Sequence, residues 1–362
     1  MVTLKEIARK MRVSASTVSY ALHPVLWKTK RIRPATRQAV LRHARRLGYR
    51  PHRAAVSLRT GRSRTLRVIV PTVASDLVSR MLEGLESALG GEFDLLLGVT
   101  GWDPAREVRF LDALGDRAAD GAIVLSIGDR AALPSLRNLR RWKVPFVQVE
   151  HHFPEVPSDV VQPDNRGLAA MLTRHLLRLG RRPVYFLRSP RVHAGTLARS
   201  EGYEEAMREA GLVPRALPAL PLSREGSRFE HYRAIADEVL REVGRPVGIV
   251  ANDTAGMLAS LEAAEAAGLR CPAEVSICGI SAATARDQND GVPFSRFLRR
   301  DFTRAEWSVE EMGRLAGSLL LRRLRGGRGA RGPFERVSVP GRLVEAETAA
   351  PPAVSPAAVR AT

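Results

Sequence analysis

The chain has 362 residues, 44% of them apolar and 26% charged, with two Cys and a formal net charge of +19. That much apolar material excludes a wholly disordered chain, roughly 100–200 residues per domain predicts two or three domains, and no apolar run of about 18 residues exists to span a bilayer. The start, MVTLKEIARK, is charged and lacks the apolar stretch of a secretory signal, so the expected place is the cytoplasm, and Cys271 and Cys278 have neither metal-ligand nor redox-pair spacing and read as small buried thiols.

The charge is unevenly placed. Residues 1–65 hold 17 Lys and Arg against one acid, Glu6, a local charge of +16, whereas the remaining 297 residues carry only +3. A basic tail would lack apolar periodicity, and this segment has it. A folded basic module is the footprint of a domain that binds a polyphosphate.

In chain order, Thr3 and Glu6 make a T-x-x-E capping box ahead of a first helix, 4–11, whose Leu4, Ile7, Ala8 and Met11 share one face. After a turn at Arg12-Val13, Ser14 can cap a second helix, 15–22, with Val18, Ala21 and Leu22 inward; two short helices so joined predict a helix-turn-helix. A third helix runs from Pro34 to Leu47 and stops at Gly48, with Val40, Leu41, Ala44 and Leu47 completing the small core. Residues 52–59 form a short Ala-containing stretch and 60–64 read as a linker. From Leu66 onward, apolar runs at 66–70, 93–97, 122–125, 146–149, 184–187, 248–251 and 275–279 predict strands. Amphipathic segments at 77–89, 168–179, 197–210, 232–243 and 255–267 predict helices between them. Such alternation predicts doubly wound parallel sheets, and about 280 residues suit two lobes. The Ala/Pro-rich stretch from Ala349 to Thr362 has no periodicity and is expected to be disordered.

At the N-terminus the strings Thr3-Leu4-Lys5-Glu6-Ile7-Ala8, Val13-Ser14-x-Ser16-Thr17-Val18-Ser19, Ala21-Leu22, Pro34-Ala35-Thr36-Arg37, Leu47-Gly48-Tyr49-Arg50-Pro51 and Ser57-Leu58-Arg59-Thr60-Gly61-Arg62 follow one another closely. Weaker matches continue through Arg199-x-x-Gly202-Tyr203, Ala251-Asn252-Asp253-Thr254 and Ala266 to Ser276. In these features the chain resembles the lactose/galactose-repressor (LacI/GalR) family of bacterial regulators, over residues 1 to about 345. The resemblance implies an all-α helix-turn-helix headpiece (1–51), a hinge helix and linker (52–65), and an α/β two-lobed core like periplasmic sugar-binding proteins, with two doubly wound parallel sheets (66–345), then a disordered tail (346–362). Lobe 1 is expected at about 66–162 plus 293–325, and lobe 2 at about 163–292 plus 333–345.

The resemblance implies a repressor that binds a pseudo-palindromic operator as a homodimer at the nucleoid, with no enzymatic activity and no cofactor. The second helix would enter the major groove by its N-terminal end, bringing Ala15, Ser16, Thr17, Ser19 and Tyr20 nearest the base edges or flanking phosphates. Thr3 is a further expected contact. Ser14 can cap its helix, touch a phosphate, or do both. Residues 53–59 would form a hinge helix, with Arg50, Arg53, Ala54, Ser57, Leu58 and Arg59 at the DNA. Leu58 matches a leucine that wedges into the minor groove, the alternative being a linker contact to the core. Three departures stand out: Tyr20 replaces a common Arg, Arg12 replaces a common turn Gly, and the segment 23–33 is longer than usual and carries Trp27, Lys28, Lys30, Arg31 and Arg33. That segment reads either as extra backbone contacts or as a solvated basic loop.

In the core, the expected ligand-binding residues are Ser75, Asp76, Arg199, Asn252, Asp253 and Ser281, with capping of the following helix as the other reading of Asp253. Ser75-Asp76-Leu77-Val78 stands where the family often has Asn-Pro-Phe-Phe, and Ile280-Ser281-Ala282 where it usually has Phe-Asp-Asp. The resemblance therefore implies the loss of an aromatic wall and of a ligand-binding carboxylate, which puts a sugar-like effector in question and leaves a degenerate, effector-free cleft as the alternative. Asp76, Trp102, Asp103 and Asp164 are the candidate replacements. No Walker loop, G-x-S-x-G or H-E-x-x-H occurs, and His151-His152 reads as a surface pair.

Overall fold

The computed structural model describes residues 2–22, 26–49, 62–116, 119–190, 192–217, 227–242, 246–281, 301–326 and 332–351. They divide into two units between Ser63 and Arg64.

In the N-terminal unit, α1 (Leu4–Met11) starts on the predicted box: Thr3 N donates to Glu6 Oε2 at 2.8 Å, and Glu6 N to Thr3 Oγ1 at 3.3 Å. Arg12 closes the helix in the left-handed region, at φ 53°. A side chain there costs about 1 kcal/mol, which a turn glycine would avoid. Helices α2 (Ala15–Leu22), α3 (Leu26–Thr29) and α4 (Pro34–Arg46) follow. Ile7, Ala8, Val18, Ala21, Val40 and Ala44 are buried together, and Leu4, Met11, Leu22, Ile32 and Leu47 pack around them. The helix-turn-helix reading thus meets a core made from the predicted apolar faces, except that Leu41, expected inside, is half-exposed and stands outside this cluster. The segment expected as a long loop contains the one-turn helix α3. The expected hinge falls outside the described residues.

The second unit is built on two six-stranded sheets. The first holds β1 (Thr65–Val70), β2 (Asp94–Val99), β3 (Gly121–Val124), β4 (Phe146–Val149), β5 (Asp159–Pro163) and β11 (Arg336–Val339), in the order β11-β5-β4-β3-β1-β2, all pairs parallel. Helices α5 (Asp76–Leu89), α6 (Pro104–Asp112) and α7 (Leu133–Arg141) lie between its strands in sequence.

The second sheet holds β6 (Val184–Leu187), β7 (Arg215–Leu217), β8 (Val247–Ala251), β9 (Val275–Ile280), β10 (Thr303–Trp307) and β12 (Gly341–Val344), ordered β12-β10-β9-β8-β6-β7. Helices α8 (Asn165–Arg178), α9 (Ala194–Glu209), α10 (Arg228–Glu242) and α11 (Thr254–Ala266) belong to it. The long α12 (Val309–Arg325) packs on α5 and on β3, β4 and β5 of the first lobe. Burial of the central strands is nearly complete, as expected of parallel sheets covered on both faces.

Three expectations need correction. Residues 293–325 do not go to lobe 1 as a block, because β10 pairs with β9 in the second sheet while α12 returns to the first. Residues 333–345 are likewise split: β11 extends the first sheet beside β5, and β12 caps the second. The chain therefore passes between the lobes at β5 to α8, at β10 to α12 and at β11 to β12. The sheets are also not wholly parallel, since β12 runs antiparallel to β10. Only Pro340 separates β11 from β12, so the chain steps directly from the edge of the first sheet to the edge of the second.

The tail is the third correction, up to Pro351. Thr348 is fully buried; its hydroxyl donates to Ile277 O at 2.7 Å and accepts from Thr303 N at 3.0 Å. Ala350 O accepts twice from the buried guanidinium of Arg181, at 3.0 and 2.7 Å. Polar anchoring, which apolar periodicity does not report, holds this segment; residues 352–362 lie outside the described ones.

Candidate functional site

Helix α2 has two faces. Val18 and Ala21 are buried, while Ala15 and Ser16 are exposed and Thr17, Ser19 and Tyr20 half-exposed. Ser14 caps the helix: Thr17 N donates to its Oγ at 3.0 Å, and the two hydroxyl oxygens lie 2.9 Å apart. The cap and Thr17 are thus linked, and Ala15, Ser16, Ser19 and Tyr20 lie on the outward side of the helix. Tyr20 carries Lys30 Nζ 5.8 Å from its ring centre. Of the expected DNA contacts, Thr3, Ser14, Ala15, Ser16, Thr17, Ser19 and Tyr20 lie in this unit; Arg50, Arg53, Ala54, Ser57, Leu58 and Arg59 lie outside the described residues.

The second unit holds a cleft lined by both lobes, with a cavity of about 160 Å³. Its walls come from the C-terminal ends of the strands: Ser75 and Trp102 follow β1 and β2, Glu150 and His151 follow β4, Ser189 and His193 follow β6, Asn252 and Asp253 follow β8, and Ser281 follows β9. That is where open parallel sheets place ligands. Ser75, Arg199, Asn252, Asp253 and Ser281 line it as expected from the resemblance.

Several lining groups are already committed. Arg199, on α9, is 6% exposed; its Nε donates to Asn165 Oδ1 and its Nη1 to Asn252 O, both at 2.7 Å. Asp253 accepts Gly256 N at 3.1 Å as the cap of α11, and also the Tyr232 hydroxyl at 2.8 Å and Arg228 Nη1 at 3.4 Å. Arg228, the Tyr232 hydroxyl and the cap amide hold its carboxyl below the usual range against the opposing effect of burial. Ser281 Oγ lies 2.8 Å from Thr254 Oγ1.

Other groups point to recognition. Asn252 is 1% exposed, and its Oδ1 has no hydrogen-bond partner among the described residues. Glu150 is half-buried at φ 61°, and Trp102 sits at φ 64°; such backbone is rare for residues with side chains and collects at functional sites. Burial pushes the Glu150 carboxyl up, with Arg199 and Arg228 pulling it back. The His151 and His193 rings meet edge to face, centroids 3.8 Å apart. Burial, and then the charge of neighbours led by His151, hold His193 well below its ordinary value, so it stands as a neutral imidazole.

These positions correct parts of the sequence reading. Asp76 does not line the cleft; it sits in the first turn of α5, 3.7 Å from Arg80. Asp103 and Asp164 are caps of α6 and α8, accepting from Ala105 N at 2.9 Å and Gly167 N at 3.0 Å. An acid just before a helix serves the free N–H groups first. An aromatic wall is present after all, made by Trp102 and Trp307. His151-His152 is no surface pair: His151 faces the cleft and His152 is 7% exposed. Glu150, His193, Arg228 and Trp307 were not singled out from sequence. Its position just beyond the predicted strand at 146–149 would have marked Glu150, whereas His193 lies well past the end of β6 and Trp307 ends a strand that the sequence does not predict. Arg228, the first residue of α10, carries no such signal.

Residues 3–52 match the family described as bacterial regulatory proteins, lacI family, and residues 173–349 match a periplasmic binding protein-like domain. The HTH-type transcriptional repressor CytR of Escherichia coli (strain K12) is 26% identical over 325 residues, covering 90% of this chain and 90% of that protein. Among solved structures, the transcriptional regulator CelR–cellobiose complex superposes with a TM-score of 0.63 at 24% identity, covering 96% of this chain and all of that one. The Lac repressor bound to ONPG in the repressed state gives a TM-score of 0.70 at 17% identity, covering 96% and 99%.

Proposed function

The chain belongs to the lacI family of bacterial regulatory proteins and is a DNA-binding transcriptional regulator, and from that premise we propose that it is a repressor acting as a homodimer on a pseudo-palindromic operator, in the cytoplasm at the nucleoid. The observation that carries this reading is helix α2, which buries Val18 and Ala21 and offers Ala15, Ser16, Ser19 and Tyr20 outward from a unit with almost no acid. Small hydroxyl and methyl groups read base edges in the major groove, and Tyr20 makes the half-site differ where the family commonly uses Arg. Thr3, Ser14 and Thr17 are assigned to phosphates, and Arg50, Arg53, Ala54, Ser57, Leu58 and Arg59 to the hinge.

We propose further that a small polar ligand binds the cleft and shifts DNA affinity by its different affinity for two core states. Ser75, Arg199, Asn252, Asp253 and Ser281 are its proposed contacts, joined by Glu150 and His193, with Trp102 and Trp307 as the apolar wall. A built cavity with an unpartnered buried Asn252 Oδ1 favours this over an effector-free cleft.

Selection of duplexes from a random library by the full-length protein tests the reading. The expected product is a two-fold symmetric site bound at least about 10³-fold more tightly than random DNA. Selected sites without symmetry would reject the dimer, and equal affinity for random DNA would reject the regulator.

A further inference from the structure

Between α2 and α4 lies a segment whose charges no acid of its own unit balances. Lys28, Lys30, Arg31 and Arg33 are all exposed. The only acid within residues 1–65 is Glu6, and its carboxylate is engaged by Thr3 N.

This segment is nonetheless built rather than trailing. Its backbone closes on itself, with Ile32 N donating to Trp27 O at 2.8 Å and Arg31 N to Lys28 O at 3.1 Å. Ile32 joins the hydrophobic core of the unit. The half-buried Trp27 ring has the Arg37 guanidinium of α4 at 4.7 Å from its centre and Lys28 Nζ at 5.7 Å. On the other side Lys30 Nζ lies over Tyr20 of α2. Ring contacts at Trp27 and Tyr20, the backbone closure and Ile32 in the core thus hold the segment that carries these four cations beside α2. Ordering like charges costs self-repulsion, and a solvated loop has no need of a core residue to hold it in place. A polyanion alongside α2 supplies the missing compensation.

We infer that residues 26–33 form a second DNA-contacting element, which grips the phosphate backbone beside the base pairs met by α2, with Lys30 and Tyr20 coupling the two. The inference rests on the DNA-binding reading above. Such contacts add affinity and salt dependence without sequence preference.

The test uses the full-length protein, a duplex selected by it, and a random duplex of equal length, with affinity measured between 50 and 300 mM KCl. In the variant Lys28→Gln/Lys30→Gln/Arg31→Gln/Arg33→Gln, the slope of log affinity against log salt is expected to flatten by about 0.9 for each lost contact. Both duplexes should lose affinity by a similar factor. Arg31→Gln alone, at an exposed residue with no ring contact among the described residues, should flatten the slope by up to about 0.9 and guards against misfolding of the quadruple variant. Trp27→Ala keeps every charge and should still weaken binding several-fold. Wild-type slopes in both charge variants overturn the inference. So does a fully wild-type affinity in Trp27→Ala, which would reduce the segment to an unstructured charge. Failure of the wild-type protein to prefer the selected duplex is a separate result, and rejects the DNA-binding reading itself.

Discussion

Arg199 shows how much one side chain does in the cleft. It is buried, and it places directed N–H bonds on Asn165, which begins α8, and on the backbone of Asn252, which follows β8. Three separate stretches of the second lobe are thereby fixed around one guanidinium. Arg199→Ala leaves two buried acceptors without donors, and should lower unfolding free energy by about 2–3 kcal/mol in urea titrations. Arg199→Lys should recover only part, because an ammonium lacks the planar fork; full recovery would show that charge alone matters. Asp253 illustrates a residue whose two sequence readings do not exclude each other. Its capping of α11 is visible, and the same carboxylate, which also accepts from Tyr232 and Arg228, belongs to a residue that lines the cleft.

At the scale of elements, the pairing of α5 with α12 organises the first lobe. A Cβ added at Gly84 would fall on the carbonyl oxygen of Glu310, and one at Gly313 on that of Met81. The two backbones approach closely because both helices lack side chains where they touch. Arg80 then clamps the junction, donating from Nε and Nη2 to Glu310 at 2.6 and 2.9 Å. Gly84→Ala must push the helices apart, and is expected to destabilise by about 3 kcal/mol, read as a lower urea midpoint with an unchanged slope. A wild-type midpoint would mean that the helices tolerate separation. Gly313 and Gly317 explain why the sequence does not announce 309–325 as a helix: they weaken the local helical signal, and packing against α5 offsets that loss. Strands β5, β7, β11 and β12 are three to five residues long. Unlike the equally short β4 and β6, they are broken up by Asp159, Gln162, Arg215, Arg336, Ser338 or Arg342, so no run of apolar residues declares them.

For the whole molecule, buried imidazoles tie stability to pH. Burial holds His152 down at about 4 against an ordinary 6.5, with Arg336 adding to it. The unfolded chain therefore binds a proton that the folded chain refuses between those two values. The stability from this group is complete above pH 6.5 and is lost as pH falls toward 4, at up to about 1.4 kcal/mol per pH unit. His193, His175 and His231 shift in the same direction. Glu107 opposes them: burial raises its carboxyl, so its contribution is lost as pH rises. Unfolding free energies measured from pH 7 to 5 should fall for the wild type and fall less steeply for His152→Phe; parallel curves would contradict the assignment. These groups also mark the limit of reading a chain by itself. Patterns that repeat along the chain were legible: the capping box at Thr3, the helical faces of the N-terminal unit, the apolar central strands, and the concentration of charge before residue 65. Each depends on neighbours within a few residues, so local order suffices to express it. The walls of the cleft were legible only where the family resemblance supplied them. Whether Asp164 caps a helix or faces a ligand, whether His151 meets His193, and which sheet takes β10 or β11 depend on residues far apart in sequence. Such contacts are set when the sheets stack their strand ends together, and only the tertiary structure decides them.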